Sequence, residues 1–465
     1  MKKVWRHTLV WGLIGIWLLM VTALPLAAQQ PQTPEVPPIW LDFDMENIPE
    51  PKVVETGYLY DFANNTFFQN VKQAFDFPRT LRAIRRRPKP AYNVNSVGEV
   101  PDSSWFTNRN GQQGRMSLAA LKQGPNTGSG PVAGELTVMK AKSIGITPGF
   151  WIRDSAGVTY ILKFDPINHP ELATAAEVIS TKLLYAIGYN VPENYLFRLD
   201  RSRLKISEKA TYTDELGKKQ AMTEADLDHI LAKVHRQEDG VYRCVASKLL
   251  TGKPKGGFFF HGTRPDDPND LIPHEHRRDL RGLRVFAAWL EHNDIRAGNT
   301  LDMYVSEGGR NFIRHYLIDF GSTLGSDSVF PNVPIVGYEY QVDGKEAVKS
   351  LVTLGIYERP WLNPEREPDF SPQVGRYGAR FFNPRKWKPN FPLVAFENMT
   401  LADAIWAAHI VESFSDEQIR AVVEMGEYRR SADADYVFET LCRRRDLIVN
   451  SYLRSLWKPK RQVTR

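Results

Sequence analysis

Between Glu291 and Gly321 the chain reads EHNDIRAGNTLDMYVSEGGRNFIRHYLIDFG, and this stretch restricts what the chain can fold into more than any other. Two apolar, β-rich runs, LDMYV and FIRHYLI, flank a Gly-rich turn, the pattern of an antiparallel hairpin. The hairpin separates one acid, Asp294, and an amide, Asn299, from a second acid, Asp319. Phosphoryl transfer needs an oriented hydroxyl, divalent ions on the phosphates and positive charge on the developing oxyanions. Asp294 can orient a hydroxyl, Asn299 and Asp319 can hold ions, and Arg296 can supply the charge.

A lone cation stands on a strand further up the chain. In VTYILKF, residues 158–164, Val158, Tyr160, Leu162 and Phe164 share one face of a strand, while Thr159, Ile161 and Lys163 share the other. Lys163 is a lone charge among apolar neighbours, a placement that on an edge strand discourages aggregation. From Pro170 to Ile187, Leu172, Ala176, Ile179, Leu183 and Ile187 recur at helical spacing. Pro170 fits the first turn of this helix, and Gly188 with Pro192 stops it. Glu177 lies in the helix fourteen positions after Lys163, whereas Glu171 sits in the first turn, where a helix N-terminus explains an acid.

Taken in order, these residues resemble the protein-kinase-like superfamily. His292-Asn293-Asp294 stands where kinases carry HRD, Asn299 where they carry the catalytic-loop Asn, and Asp319-Phe320-Gly321 reads as DFG. The resemblance implies ATP or a related nucleotide, with Mg or Mn, as cofactors. It implies that Lys163 binds the α and β phosphates, that Glu177 positions Lys163 through an ion pair, and that Asp294 is the catalytic base. It also implies that Arg296 neutralises the transferring phosphoryl group and that Asn299 and Asp319 ligate metal. A phosphate-covering loop would fall on Ser143 to Gly149, with the main chain of Ser143, Gly145 and Gly149 as donors, although GITPG lacks the G-x-G-x-x-G spacing. That departure points to atypical branches: HipA-type, phosphatidylinositol-kinase-like, CotH-type spore-coat and secretory-pathway kinases.

The implied fold is α+β and two-lobed, with a β-rich N-lobe over residues 131–250 and a mostly helical C-lobe over 251–465. An adenine edge would meet the main chain near Ser247 to Leu250. The implied activity moves the γ-phosphate of a nucleotide to a hydroxyl acceptor, which is a protein, a lipid or a small molecule. Nucleotidyl transfer on the same fold and a non-catalytic kinase-fold binding protein of the cell envelope are the alternatives.

Residues 1–28 carry a Lys- and Arg-containing start, a long apolar run and small residues, the pattern of a secretory signal peptide. The run nears the ~20 residues that span a bilayer, so an uncleaved anchor associating with a membrane is the alternative. Both export the rest of the chain, to a periplasm or beyond. Residues 29–56, rich in Pro and Gln, are expected as an exposed linker. Residues 57–130 are expected as an N-terminal extension, helical to about 87 and mostly loop from 88 onward.

The formal net charge of +6 is mild and reads as spread along the chain, with clusters at 85–89, 443–445 and 458–461 that suit solvated faces, so no nucleic acid partner is expected. Cys244 and Cys442 are too few for a disulfide scaffold and are expected as two buried thiols. Asp266, Asp267, Asp270, His274 and His276 gather in one segment, but HEH is not the HExxH metal pattern, and a polar loop bordering the cleft is expected. Helical periodicity returns after 400, with Ser415 and Gln418 forming a capping pair.

Overall fold

Alternation in VTYILKF does produce a strand, and its position in the sheet decides what Lys163 can do. The protein is described here by a computed structural model that covers residues 44–454 except 86, 112–113, 143–146, 215–216, 355, 363–370 and 372. The N-terminal apolar run, Ser143, Gly145 and the basic cluster at 458–461 lie outside the described residues. Among the described residues no helix is long and apolar enough to cross a membrane.

Seven strands make the main sheet: β1 (Leu136–Ala141), β2 (Gly149–Asp154), β3 (Thr159–Phe164), β4 (Asn194–Leu199), β5 (Leu204–Thr213), β6 (Lys219–Ala221) and β7 (Tyr242–Lys248). Their order is β4-β7-β3-β2-β1-β5-β6. β3 pairs antiparallel with β2 on one side and β7 on the other, so Lys163 is not on an edge. Tyr160, Leu162 and Phe164 are buried in a core shared with Leu136, Val138, Phe150 and Ile152, which leaves the face of Ile161 and Lys163 for the site. A second sheet holds β8 (Lys253–Pro254), β9 (Thr300–Glu307) and β10 (Arg310–Leu317) in the order β10-β9-β8. Gly308 and Gly309, at φ +57° and +77°, make the two-residue turn between β9 and β10, a conformation that favours glycine at both positions.

The helices are α1 (Tyr58–Ala63), α2 (Gln69–Ala74), α3 (Phe77–Ile84), α4 (Leu118–Gln123), α5 (Leu172–Ile187), α6 (Glu224–Leu231), α7 (Arg278–Leu290), α8 (Gly344–Val352), α9 (Val394–Glu397), α10 (Leu401–Glu412), α11 (Asp416–Glu424) and α12 (Ser431–Tyr452). A π-helical turn, Asn64–Phe68, joins α1 to α2. α7, α10 and α12 pack on one another around a core that includes Trp289, Phe414 and Leu441, and the Trp289 indole donates to Leu441 O at 2.9 Å. The Ser415–Gln418 capping box opens α11 as expected, and a second, Thr223–Asp226, opens α6. The mixed α+β class is therefore the observed one, a large sheet followed by a mainly helical C-terminal part.

Several expectations are corrected by long-range contacts. α5 begins at Leu172, not Pro170, because Glu171 adopts φ +71° and turns its buried carboxylate to the Arg429 guanidinium, 2.6 Å away. Residues 44–56 are not an exposed linker: Asp44 accepts the Ser104 hydroxyl at 2.8 Å, Ile48 N–H bonds Asn311 O at 2.8 Å, and Val54 N–H bonds Lys255 O at 2.9 Å. The described residues from 88 to 130 are mostly loop, as expected, with one short helix, α4, capped by Ser117. β5 extends as far as Thr213 because β6 pairs with its far half. Cys244 is buried in β7, but Cys442 on α12 is only partly so.

Candidate active site

Lys163 reaches across from β3 to two acids supplied by different elements. Its Nζ lies 3.1 Å from Glu177 Oε1 on α5 and 2.8 Å from Asp319 Oδ1 after β10. Burial opposes a charge on this lysine, but the carboxylates of Asp319 and Glu177 outweigh it and hold its pKa above the ordinary value. In turn the Lys163 ammonium, with Lys142 assisting, keeps Asp319 below the usual carboxylate range. Glu177 is itself fixed: Oε1 also accepts from Asn194 Nδ2 at 2.9 Å, and Oε2 is buried without a partner.

Below this pair the loop after α7 presents the second group. Asp294 Oδ2 accepts from Asn299 Nδ2 at 2.7 Å, and Oδ1 accepts from Arg296 Nε at 3.1 Å. Burial raises the Asp294 pKa, opposed by Arg296 and Asn299. Asn299 is the last residue of a 3₁₀ turn, Ala297–Asn299, and its carbonyl accepts from Ile318 N–H at 3.1 Å, which ties the start of the hairpin to its end. Asp319 has φ +65°, a left-handed conformation that costs Asp less than most residues. Next to it, Phe320 is fully buried edge-on to the His292 ring at 5.7 Å, and Thr323 hydrogen-bonds Ser180 of α5 at 2.7 Å. The two acids are thus set by separate anchors into α5 and the helical core.

All six side chains expected to act on phosphate or metal occur here. Lys163, Glu177 and Asp319 form one contacting group, and Asp294, Arg296 and Asn299 form another. Gly149 stands opposite Lys163 in the β2–β3 ladder, where a Cβ would come within 2.1 Å of Leu162 O, so its lack of a side chain is required by strand packing. Of the donors expected at an adenine edge, Lys248 N–H already bonds Glu193 O and Leu249 N–H bonds Thr159 O, each at 2.9 Å. The acid-rich segment after Arg264 forms an internal network: His274 Nε2 pairs with Asp270 at 2.8 Å, and Arg264 Nη1 pairs with Asp302 at 3.0 Å. Among the described residues no group of three or more His, Cys, Asp or Glu is arranged to hold a metal.

Three participants carried no legible sequence signal. Lys142 donates to Thr147 Oγ1 at 2.7 Å and lies close enough to Asp319 for each to perturb the other. Asp327 is raised to about 6 by desolvation and by the nearby Asp294 carboxylate. Asp61, on α1, is buried, and its Oδ2 accepts from Gly298 N–H at 3.0 Å, so the N-terminal extension caps the turn that carries Asn299. The same extension is latched by Asn64 and Gln69, whose amide groups both reach His261 Nε2 at 3.0 Å. The small crevice beside Lys163, Thr174, Glu177 and Gly321 is far tighter than a second cavity of about 1100 Å³ lined by Tyr338, Trp361 and Trp387, in which none of the six expected side chains takes part.

No family model and no curated protein matches the chain. Solved structures similar to it include a proinflammatory kinase of Helicobacter pylori, CtkA, at 12% identity over 70% of this chain and 97% of that one, with a TM-score of 0.37. The Golgi casein kinase with Mn/ADP bound is 10% identical over 87% of this chain and 94% of that one, at a TM-score of 0.33. The Rio2 kinase–ADP/Mg²⁺-phosphoaspartate complex from Chaetomium thermophilum is 15% identical over 63% of this chain and 73% of that one, at a TM-score of 0.23.

Proposed function

We propose that this chain is a kinase-like phosphotransferase that moves the γ-phosphate of ATP or a related nucleotide to a hydroxyl acceptor. The observation that carries the reading is Lys163 bridging Glu177 and Asp319, with the linked Asp294–Asn299 pair at the other end of the same hairpin. In this reading Lys163, held by Glu177, binds the α and β phosphates, and main-chain donors near Gly149 cover them. Asp294 accepts the proton of the acceptor hydroxyl, its carboxylate aimed by Asn299. Arg296 is released toward the phosphoryl group as negative charge develops on it.

The donor set suits a hard cation. Asp319 is 40% exposed and engages Lys163 through Oδ1 only, and Asn299 commits its amide nitrogen to Asp294, which leaves oxygen atoms of both side chains available. Such a pair fits Mg or Mn, which take oxygen ligands and share coordination with substrate phosphates instead of needing an all-protein cage. When bound, the ion would neutralise charge on the β and γ phosphates. Export, by the N-terminal run, remains part of the proposal together with the class of acceptor.

Transfer from γ-labelled and α-labelled ATP tests the reading. Label should move from the γ position only, Asp294→Ala should abolish transfer while retaining nucleotide, and Asp319→Ala should weaken the metal-nucleotide complex. Transfer from the α position would assign nucleotidyl transfer instead. No transfer at either position, with nucleotide bound, would leave a binding protein.

A further inference from the structure

The helices of the N-terminal extension turn apolar residues to solvent in regular stripes. Phe68, Val71 and Phe75 are 62%, 56% and 71% exposed, and Phe77, Leu81 and Ile84 are 75%, 47% and 74% exposed. Val71 is on α2, with Phe68 at the end of the π-helical turn before it and Phe75 just past its last residue, and Phe77, Leu81 and Ile84 recur at i, i+4, i+7 along α3, the spacing of one helical face. A face of this kind normally packs on a core, and when it is left open in a contiguous patch it marks a docking surface.

Charge identifies the occupant. The sequence from 67 to 89 holds seven Lys and Arg against one Asp, a net +6 equal to the formal charge of the whole chain, so the remainder is balanced and the excess is not spread along it. Among the described residues no carboxylate pairs with Lys72, Arg82, Arg85 or Arg87. Two copies of this face would repel one another, which disfavours self-association through it. An anionic bilayer matches both properties, since rings enter the headgroup–acyl boundary while flanking cations meet lipid phosphates. We infer that residues 67–85, with Arg87, form a membrane-docking face for an anionic lipid surface. Because Asn64 and Gln69 bond His261 and Asp61 caps the Gly298 turn, docking would hold the candidate site at a fixed height above the lipid. This inference stands whether or not phosphate is transferred.

The test uses the full chain carrying Phe75→Cys labelled with an environment-sensitive fluorophore, in a Cys442→Ser background, since Cys244 is buried. Vesicles of phosphatidylcholine alone are compared with vesicles half phosphatidylglycerol. The label reads the face itself, even if residues 1–28 bring the chain to both kinds of vesicle. The expected result is an emission shift, quenched by acyl-brominated lipid, on the anionic vesicles only. Arg82→Glu with Arg85→Glu should weaken it by at least about tenfold, and high salt should do likewise. A label that stays aqueous on both vesicles, or shifts equally on phosphatidylcholine, overturns the inference. So does a shift without lipid, whether on raising protein concentration or on adding RNA, because another occupant would then cover the face. Ile84→Cys, labelled in the same way, repeats the reading at a second position.

Discussion

Replacing Lys163 by Met removes the cation that Glu177 and Asp319 share, and the two acids are not affected equally. The Glu177 side chain is 2% exposed, whereas that of Asp319 is 40% exposed and screened by water. At 3.1 Å the Lys163–Glu177 attraction is about 5 kcal/mol for an effective dielectric of about 20. Desolvation offsets most of this in the intact pair, but truncating one partner strands the other, at a cost of roughly 3–5 kcal/mol. Glu177 already has one buried oxygen without a partner, so little remains to compensate it. The double variant Lys163→Met/Glu177→Gln carries no stranded charge and should be more stable than Lys163→Met alone, with a coupling of about 2 kcal/mol or more. Both should lose at least about a hundredfold in transfer. Urea unfolding followed by tryptophan fluorescence and label transfer from γ-labelled ATP read the two effects. Costs that add to within about 0.5 kcal/mol would refute the claim that Glu177 holds Lys163.

Further outcomes follow from the surroundings of the site. Asp61→Ala removes the cap on the Gly298 turn and should lower kcat by about tenfold, while Asp61→Asn, which keeps an acceptor, should retain most of it; equal loss in both would assign the effect to charge near Arg296 instead. Gly149→Ala forces β2 away from Leu162 O and should cost about 1–3 kcal/mol of stability together with activity, and an unchanged melting temperature would contradict the 2.1 Å approach. Burial lowers the pKa of both His292 and His261 to about 4 from an ordinary 6.5. Between those values the unfolded chain binds protons that the folded chain does not, so stability is full above about 6.5 and falls as the pH drops toward 4, by about 2–3 kcal/mol for His292. His261→Gln should lose less on acidification than wild type; the same loss would mean that the Asn64–Gln69 latch does not depend on a neutral ring.

What the sequence determined by itself is local. Alternation in VTYILKF specified which side of β3 Lys163 occupies, a Gly-Gly turn between β-rich runs specified the hairpin, and Thr223, Ser415 and their third neighbours specified where α6 and α11 start. Each depends on residues within a few positions of one another, where backbone geometry leaves little choice. Recognition of the ordered acids, amide and lysine rested on resemblance, and the hairpin then made their convergence geometrically reasonable.

Tertiary structure decided the rest, because a contact between distant residues leaves no period to read. The Arg429 guanidinium pulls Glu171 out of the helix it would otherwise begin, and Asp61 reaches Gly298 across 237 positions. Lys142, just past the end of β1, carries no signal of its own, and only the bond of its N–H to Gly149 O on β2 and the packing around it bring it near Asp319. A buried carboxylate must find a partner somewhere, but which one depends on how the whole chain packs.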